Sequence, residues 1–489
     1  MKMLGDVLKS DDATPDEISL DDRRPSCIGR LYLGLSHCFE QLGIEATDQQ
    51  LEGWAILIHE SMSVSSRNYH NVEHIFDITK GWDDPIGVLA AYFHDTIYFA
   101  VDGSLSVRQT TILHDIFEEE EDIDESDELL SMCSTIFGIY DKREMRNNNE
   151  FLSCVTAFRE LENVLDKPTL AKIGCCIEGT IPFRPISEDG KTPEDLLYDN
   201  IKLASKIFDL KMDEDEIVET IQKSVLLANR DVGNFGEDDR KGFLDVSWSL
   251  LPEINKELRE VRCYNISDYQ TAIFKMRGFF YFLQPKLIFS SFRGIPSADA
   301  IEQLEKQAGI NLKVGQKYMD AKLLATSMML AFAMVTGGDA PMSLFTGDMP
   351  TSGVKCQQLQ DFLPEPDLED ANVRKSIRKS VTTSQVFDIL AAGRGDESLF
   401  DIKKSPIAAY LVGCLGDEGV KKILKDNQVN PMTSESARAF LHALPTKVVL
   451  KIASGIQNVA ISREKALRLL IEEFKTKFYA ELEEQEILC

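Results

Sequence analysis

Residues 68–78 read NYHNVEHIFDI and residues 90–99 read AAYFHDTIYF, so two short stretches carry three of the seven histidines in a chain of 489. In both, apolar residues recur at spacings of three and four instead of alternating, which is the signature of helix and not of strand. The same period runs through QQLEGWAILIHESM, DPIGVLAAYFHDTIYF, DESDELLSMCSTIFGIY, DEDEIVETIQKSVLLANRD and DYQTAIFKMRGFFYFLQPKLIF. Asp and Glu crowd several of the first turns, where they complement the helix dipole. The sequence therefore predicts an all-α fold, with a helical bundle around the histidines and a helical domain after it.

His70 and His74, at i and i+4, would share one helix face and reach one pocket. His94 and Asp95 lie in an apolar run, and an aspartate is rarely buried without a partner or a metal. Another apolar helix, in SVLLANRDVGNFG, ends in Asp231 and offers the remaining oxygen ligand. Two imidazoles with two carboxylates leave coordination positions open. They suit one or two divalent ions (Mn, Fe, Zn or Mg) better than a closed structural zinc site. An ion with open positions can activate water and polarise a phosphoryl oxygen.

Taken together, RNYHNVEHIFDI, VLAAYFHDTIYF and LANRDVGNFG resemble the HD superfamily of metal-dependent phosphohydrolases, helical proteins whose ligands run H…HD…D along the chain. YHNVEH resembles the Tyr-His-Asn-x-x-His segment of the cyclic-nucleotide phosphodiesterases, and RDVGN the segment around their last metal aspartate. The motifs cover 67–99 and 225–236, and the helical context extends over 30–300. The resemblance implies an HD-type bundle in which His74, His94, Asp95 and Asp231 bind metal, with Asp95 shared between two ions. It implies that His70 protonates the leaving oxygen. Arg67 and Arg230 flank the ligands as candidates for holding phosphate oxygens, and Gln284 falls where the phosphodiesterases place a substrate-gripping glutamine. Tyr98 stands where those enzymes carry a further histidine, and their Gly/Asn-rich continuation is missing. The implied reaction is thus hydrolysis of a small anionic phosphoester, a nucleotide or a similar molecule, with the substrate left open. Two other readings fit parts of the pattern. HNVEH is also the H-x-x-E-H motif of inverted zinc peptidases, with Glu73 as base. A module that senses metal or nucleotide without turnover, with its C-terminal helices binding a partner, would use the same ligands.

A net charge of -28, from 81 acidic against 53 basic residues, repels polyanions and argues against nucleic-acid binding. Ten scattered cysteines without a C-x-x-C pair point to free thiols in a reducing compartment. The N-terminal segment is acidic and lacks the apolar core of a signal peptide, so a cytoplasmic location is expected. The apolar run Leu323–Val335 falls short of the roughly 20 residues a bilayer span needs. It is expected as a buried core helix, with no membrane partner. Breaks at RGIPSADA, TGDMPTSG and LPEPDLED suggest an acidic disordered N-terminus at 1–28, a catalytic domain at 29–300 and a C-terminal helical domain at 301–489. The acidic run EEEEDIDESDE (118–128) reads as a solvated loop, and GRGDE (393–397) as a helix-ending turn. The helical surfaces leave room for a homo-oligomer.

Overall fold

The computed structural model describes residues 25–117, 127–259, 264–347, 356–363, 377, 380–395, 404–427, 429–430 and 432–488. The expectations for residues 1–24, for the acidic run at 118–126, for most of TGDMPTSG and LPEPDLED, and for the last two residues of GRGDE fall outside them, while Gly393 of GRGDE ends the helix Val381–Ala392 as expected. Among the described residues the chain is all-α and forms no strand, only two isolated bridges.

The helices that matter here are numbered in chain order. They are α1 (Cys27–Leu42), α2 (Asp48–Met62), α3 (Val72–Thr79), α4 (Pro85–Phe93), α5 (Glu128–Phe137), α6 (Asn149–Leu161), α7 (Lys167–Gly179), α8 (Pro193–Ile207), α9 (Glu214–Asp231), α10 (Arg240–Ser249), α11 (Leu251–Ile254), α12 (Ile266–Phe282) and α13 (Ala298–Thr336). Helix α4 lies at the centre of the first half. Asp84 caps it by accepting from Gly87 N at 2.8 Å, Pro85 occupies its first position, and Ile86 to Phe93 are all buried. It packs on α7, α1 and α3. Gly34 lets α1 come this close, since a Cβ there would meet Tyr92 Oη at 2.1 Å.

Two hydrophobic cores result. The first gathers side chains from Leu31 to Leu227, together with Phe292. The second runs from Val232 to Phe474 and is built around α13. The sequence places the division near 300, where α13 begins, whereas the buried side chains divide between Leu227 and Val232. The reason lies in α10 and α12: their apolar faces (Phe243, Leu244 and Trp248; Ile273, Met276 and Phe280) pack in the second core. Helix α13 is the one helix among the described residues long and apolar enough to cross a membrane, and its apolar window is 89% buried inside the protein. The core-helix expectation agrees with that burial, although the helix is 39 residues long and extends well beyond the apolar run. Among the described residues eight cysteines are free thiols, including the adjacent buried pair Cys175 and Cys176.

Candidate metal centre

The structure brings His74, His94 and Asp231 together, with one ligand atom of each lying within 4.8 Å of the others. His74 projects from α3, His94 caps the end of α4, and Asp231 is the last residue of α9. Three helix ends therefore converge at the seam between the cores. His74 Nε2 lies 2.8 Å from Asp231 Oδ1, and His94 Nε2 lies 3.5 Å from the same oxygen. Asp95 Oδ2 is 3.0 Å from His94 Nε2. His94 Nε2 and Asp95 Oδ2 are nevertheless buried without a hydrogen-bond partner, because their mutual geometry is off the line such a bond needs.

Both sequence-predicted helix boundaries shift at this site. His70 does not share a helix face with His74, because α3 begins only at Val72. Asn71 caps it, its side chain accepting from Glu73 N at 2.9 Å and His74 N at 3.3 Å. An asparagine at this position satisfies two orphan amides that a longer helix would otherwise use. His70 thus precedes the cap, with its ring 5.9 Å from that of His74. Likewise, the apolar helix does not continue through HDTIYF but stops at Phe93. Side chains stitch the turn that follows: Thr96 Oγ1 donates to Phe93 O, Ser153 Oγ accepts from Ile97 N, and Arg67 Nη1 donates to Asp95 O.

Arg67 is buried. Its Nε and Nη2 form a bidentate pair with Asp102 at 2.8 and 2.6 Å. It braces the Asp95 turn and has no nitrogen to spare for a phosphate. Arg230 donates to Ile78 O at 3.0 Å and Lys80 O at 3.2 Å and lies over the Trp82 ring, so it closes the C-terminal end of α3. Gln284 instead lines a cavity of about 380 Å³, together with Ala228 on α9 and Val232 just after it, whereas none of His70, His74, His94, Asp95 and Asp231 lines it. Its remaining walls are the loop from Gly179 to Glu194 and the segment Lys286–Ser291.

Sequence reasoning missed Glu253. It is buried on α11, within the second core's share of the chain, and reaches back to the first. Its Oε2 lies 2.6 Å from His70 Nδ1, while its Oε1 accepts from Tyr69 N at 2.6 Å and His70 N at 3.1 Å. A signal was present: a carboxylate inside the apolar run LLPEI raises the same question as Asp95 inside AAYFHDTIYF. Tyr69 and Tyr98 pack edge-on against the His70 ring at 4.6 and 4.9 Å.

Electrostatically the cluster is strongly coupled. Burial alone would lower the His94 imidazole, but Asp95 and Asp231 reverse that and hold it well above its ordinary value. Burial likewise pulls His70 down, and Asp95 with the Glu253 hydrogen bond raises it overall. Asp95 and Asp231, despite burial, are held far below the usual carboxylate range by the facing histidines. Burial pushes Glu150, at the start of α6, up to about 7, and the negative charge of Asp95 adds to the effect. Asp95 and Asp231 therefore favour a facing cation, which the protonated rings of His94 and His70 supply.

His94 Nδ1 lies 2.8 Å from the Ala91 carbonyl oxygen. A carbonyl can only accept, so Nδ1 carries the proton and neutral His94 presents its Nε2 lone pair to the cluster. The converging donors of His74, His94 and Asp231, with Asp95 beside His94, are of the types that hold a divalent ion. The chain matches no family model, no curated protein and no solved structure.

Proposed function

We propose that this chain is a metal-dependent phosphohydrolase acting on a small phosphoester, a nucleotide or a molecule like it. The observation that carries this reading is the convergence of His74, His94 and Asp231, with Asp95 Oδ2 3.0 Å from His94 Nε2. The order of these residues along the chain is the H…HD…D of the HD superfamily. A divalent ion held by His74, His94, Asp95 and Asp231 supplies an activated water and a polarised phosphoryl oxygen.

The chain's own groups supply the rest. Glu253 fixes the His70 ring through Nδ1, which leaves Nε2–H as the one proton on that ring free for a leaving oxygen. Tyr69 and Tyr98 hold the ring from two sides, so the proton is delivered from a fixed position. The 380 Å³ cavity lies within the range of ligand pockets and takes the alcohol portion of the ester, with Gln284 as a polar contact. Less favourable to the peptidase alternative, Glu73 is paired on the α1 side, with Arg30 Nη1 3.0 and 3.1 Å from its two oxygens.

The test is metal analysis combined with turnover. The purified protein is expected to retain divalent transition ions and to hydrolyse bis(4-nitrophenyl) phosphate. Asp95→Ala is expected to lose most of the metal and the activity together. A wild-type protein that carries no ion and gains no activity with manganese, iron, zinc or magnesium would refute the assignment.

A further inference from the structure

The cavity beside Asp231 has a wall that belongs to neither core alone. After α12 ends at Phe282, Ile288 and Phe289 stay with the second core, whereas Phe292 returns to the first. Between them, Ser290 is bound to α9 by a reciprocal pair. Asn229 Nδ2 donates to Ser290 O at 2.9 Å, and Ser290 N donates to Asn229 Oδ1 at 2.9 Å. Gln222, two turns earlier on the same helix, donates to Phe292 O at 3.4 Å. Asn229 is two residues from Asp231, so one helix end carries both a metal ligand and the anchor of the cavity wall. Satisfying both the backbone N–H and the C=O of one residue requires a side chain with a donor and an acceptor at fixed separation, which an amide has. Asp cannot donate, and Ala offers neither group.

We propose that Asn229 is a specificity-determining positioning residue: it sets the distance between the metal centre and the wall carrying Gln284, Ser290 and Ser291, so that the cavity grips the nucleoside-sized alcohol of the ester. This rests on the phosphohydrolase reading. Asn229 touches neither the reacting atoms nor the metal ligands through its amide. Its effect falls on how the bulky part of the substrate is held, where a displacement of about 1 Å costs up to about 10²-fold.

The experiment compares the full-length wild type with Asn229→Ala and Asn229→Asp. In Asn229→Ala, KM for nucleotide esters is expected to rise about tenfold or more, within that range. The rise should far exceed that for bis(4-nitrophenyl) phosphate, and metal content should stay at the wild-type level. Asn229→Asp, which keeps the acceptor for Ser290 N but meets Ser290 O with a carboxylate, is expected to fall between. Calorimetric titration of the metal-free proteins with 5′-AMP, 5′-GMP and 5′-CMP reads the cavity without turnover. Weaker nucleotide binding in Asn229→Ala supports the proposal. Equal binding by variant and wild type, or no binding by the wild type, overturns it. If binding depends on Asn229 while no phosphoester is turned over, the hydrolase reading fails and the wall assignment stands. If turnover is present but KM shifts equally for large and small esters, the reverse holds.

Discussion

Asp95 and Asp320 are both aspartates set in apolar sequence, AAYFHDTIYF and YMDAKLLA, and both are withdrawn from solvent, at 7% and 0% exposure. Their surroundings differ. Asp320, on α13, accepts from Arg277 Nε at 2.6 Å and from Tyr281 Oη at 2.7 Å, so each of its oxygens has a donor. Asp95 has only a histidine opposite its Oδ2, His94 Nε2 at 3.0 Å, without the alignment of a hydrogen bond. The first is a closed ion pair inside a core, and the second belongs to a cluster of histidines and aspartates 2.8–3.5 Å from one another. A second comparison points the same way. His114–Asp115 repeats the HD dipeptide, but His114 is exposed and Asp115 is tied to Arg159 at 2.8 Å. Neither burial nor the dipeptide distinguishes the cluster; the convergence of His74, His94 and Asp231 does.

Three substitutions sharpen or break this contrast, beginning with the largest expected effect. His70→Ala removes a proton donor and no ligand, so turnover should fall by about 10²–10⁴-fold while metal content holds. The loss should be smaller on bis(4-nitrophenyl) phosphate, whose leaving group departs as a stable anion. Parallel loss of metal would move His70 into the ligand set. Asp320→Ala belongs to the other class. It leaves Arg277 without its buried partner and should cost about 3 kcal/mol of unfolding free energy in urea, the low end for a broken buried pair because Arg277 is partly exposed. Its metal content should match the wild type, and a depleted metal content would join the two charge networks that the contrast separates. The smallest effect is expected from Glu73→Gln at the exposed Arg30 pair, worth about 0–1 kcal/mol. Hydrolysis should be untouched; an inactive Glu73→Gln protein would restore the peptidase reading.

The helical class was legible because an apolar period of three to four survives whatever packs against it. The meeting of His74, His94 and Asp231 was legible too, since each is a ligand type in or beside an apolar run. Local capping overrode the period at two points. Asn71 starts α3 after His70, and the turn at Asp95 is closed by Arg67 and Ser153, which lie 28 and 56 residues away from their bonding partners. Arg67 and Arg230 were plausible phosphate contacts only while their partners, Asp102 and the carbonyls of Ile78 and Lys80, were unknown. Glu253 could have been found by the rule that found Asp95. The same rule would have selected Asp320, and only the partners decide between them.

The amide hydrogens of Tyr69 and His70 belong to a segment of the first core, yet a carboxylate of the second accepts both. Their exchange with deuterated solvent therefore clocks the parting of the two halves, independently of how fast either half frays. An ion drawn to the seam would be felt there as slower exchange. Those two amides would report it even in a protein with no substrate to turn over.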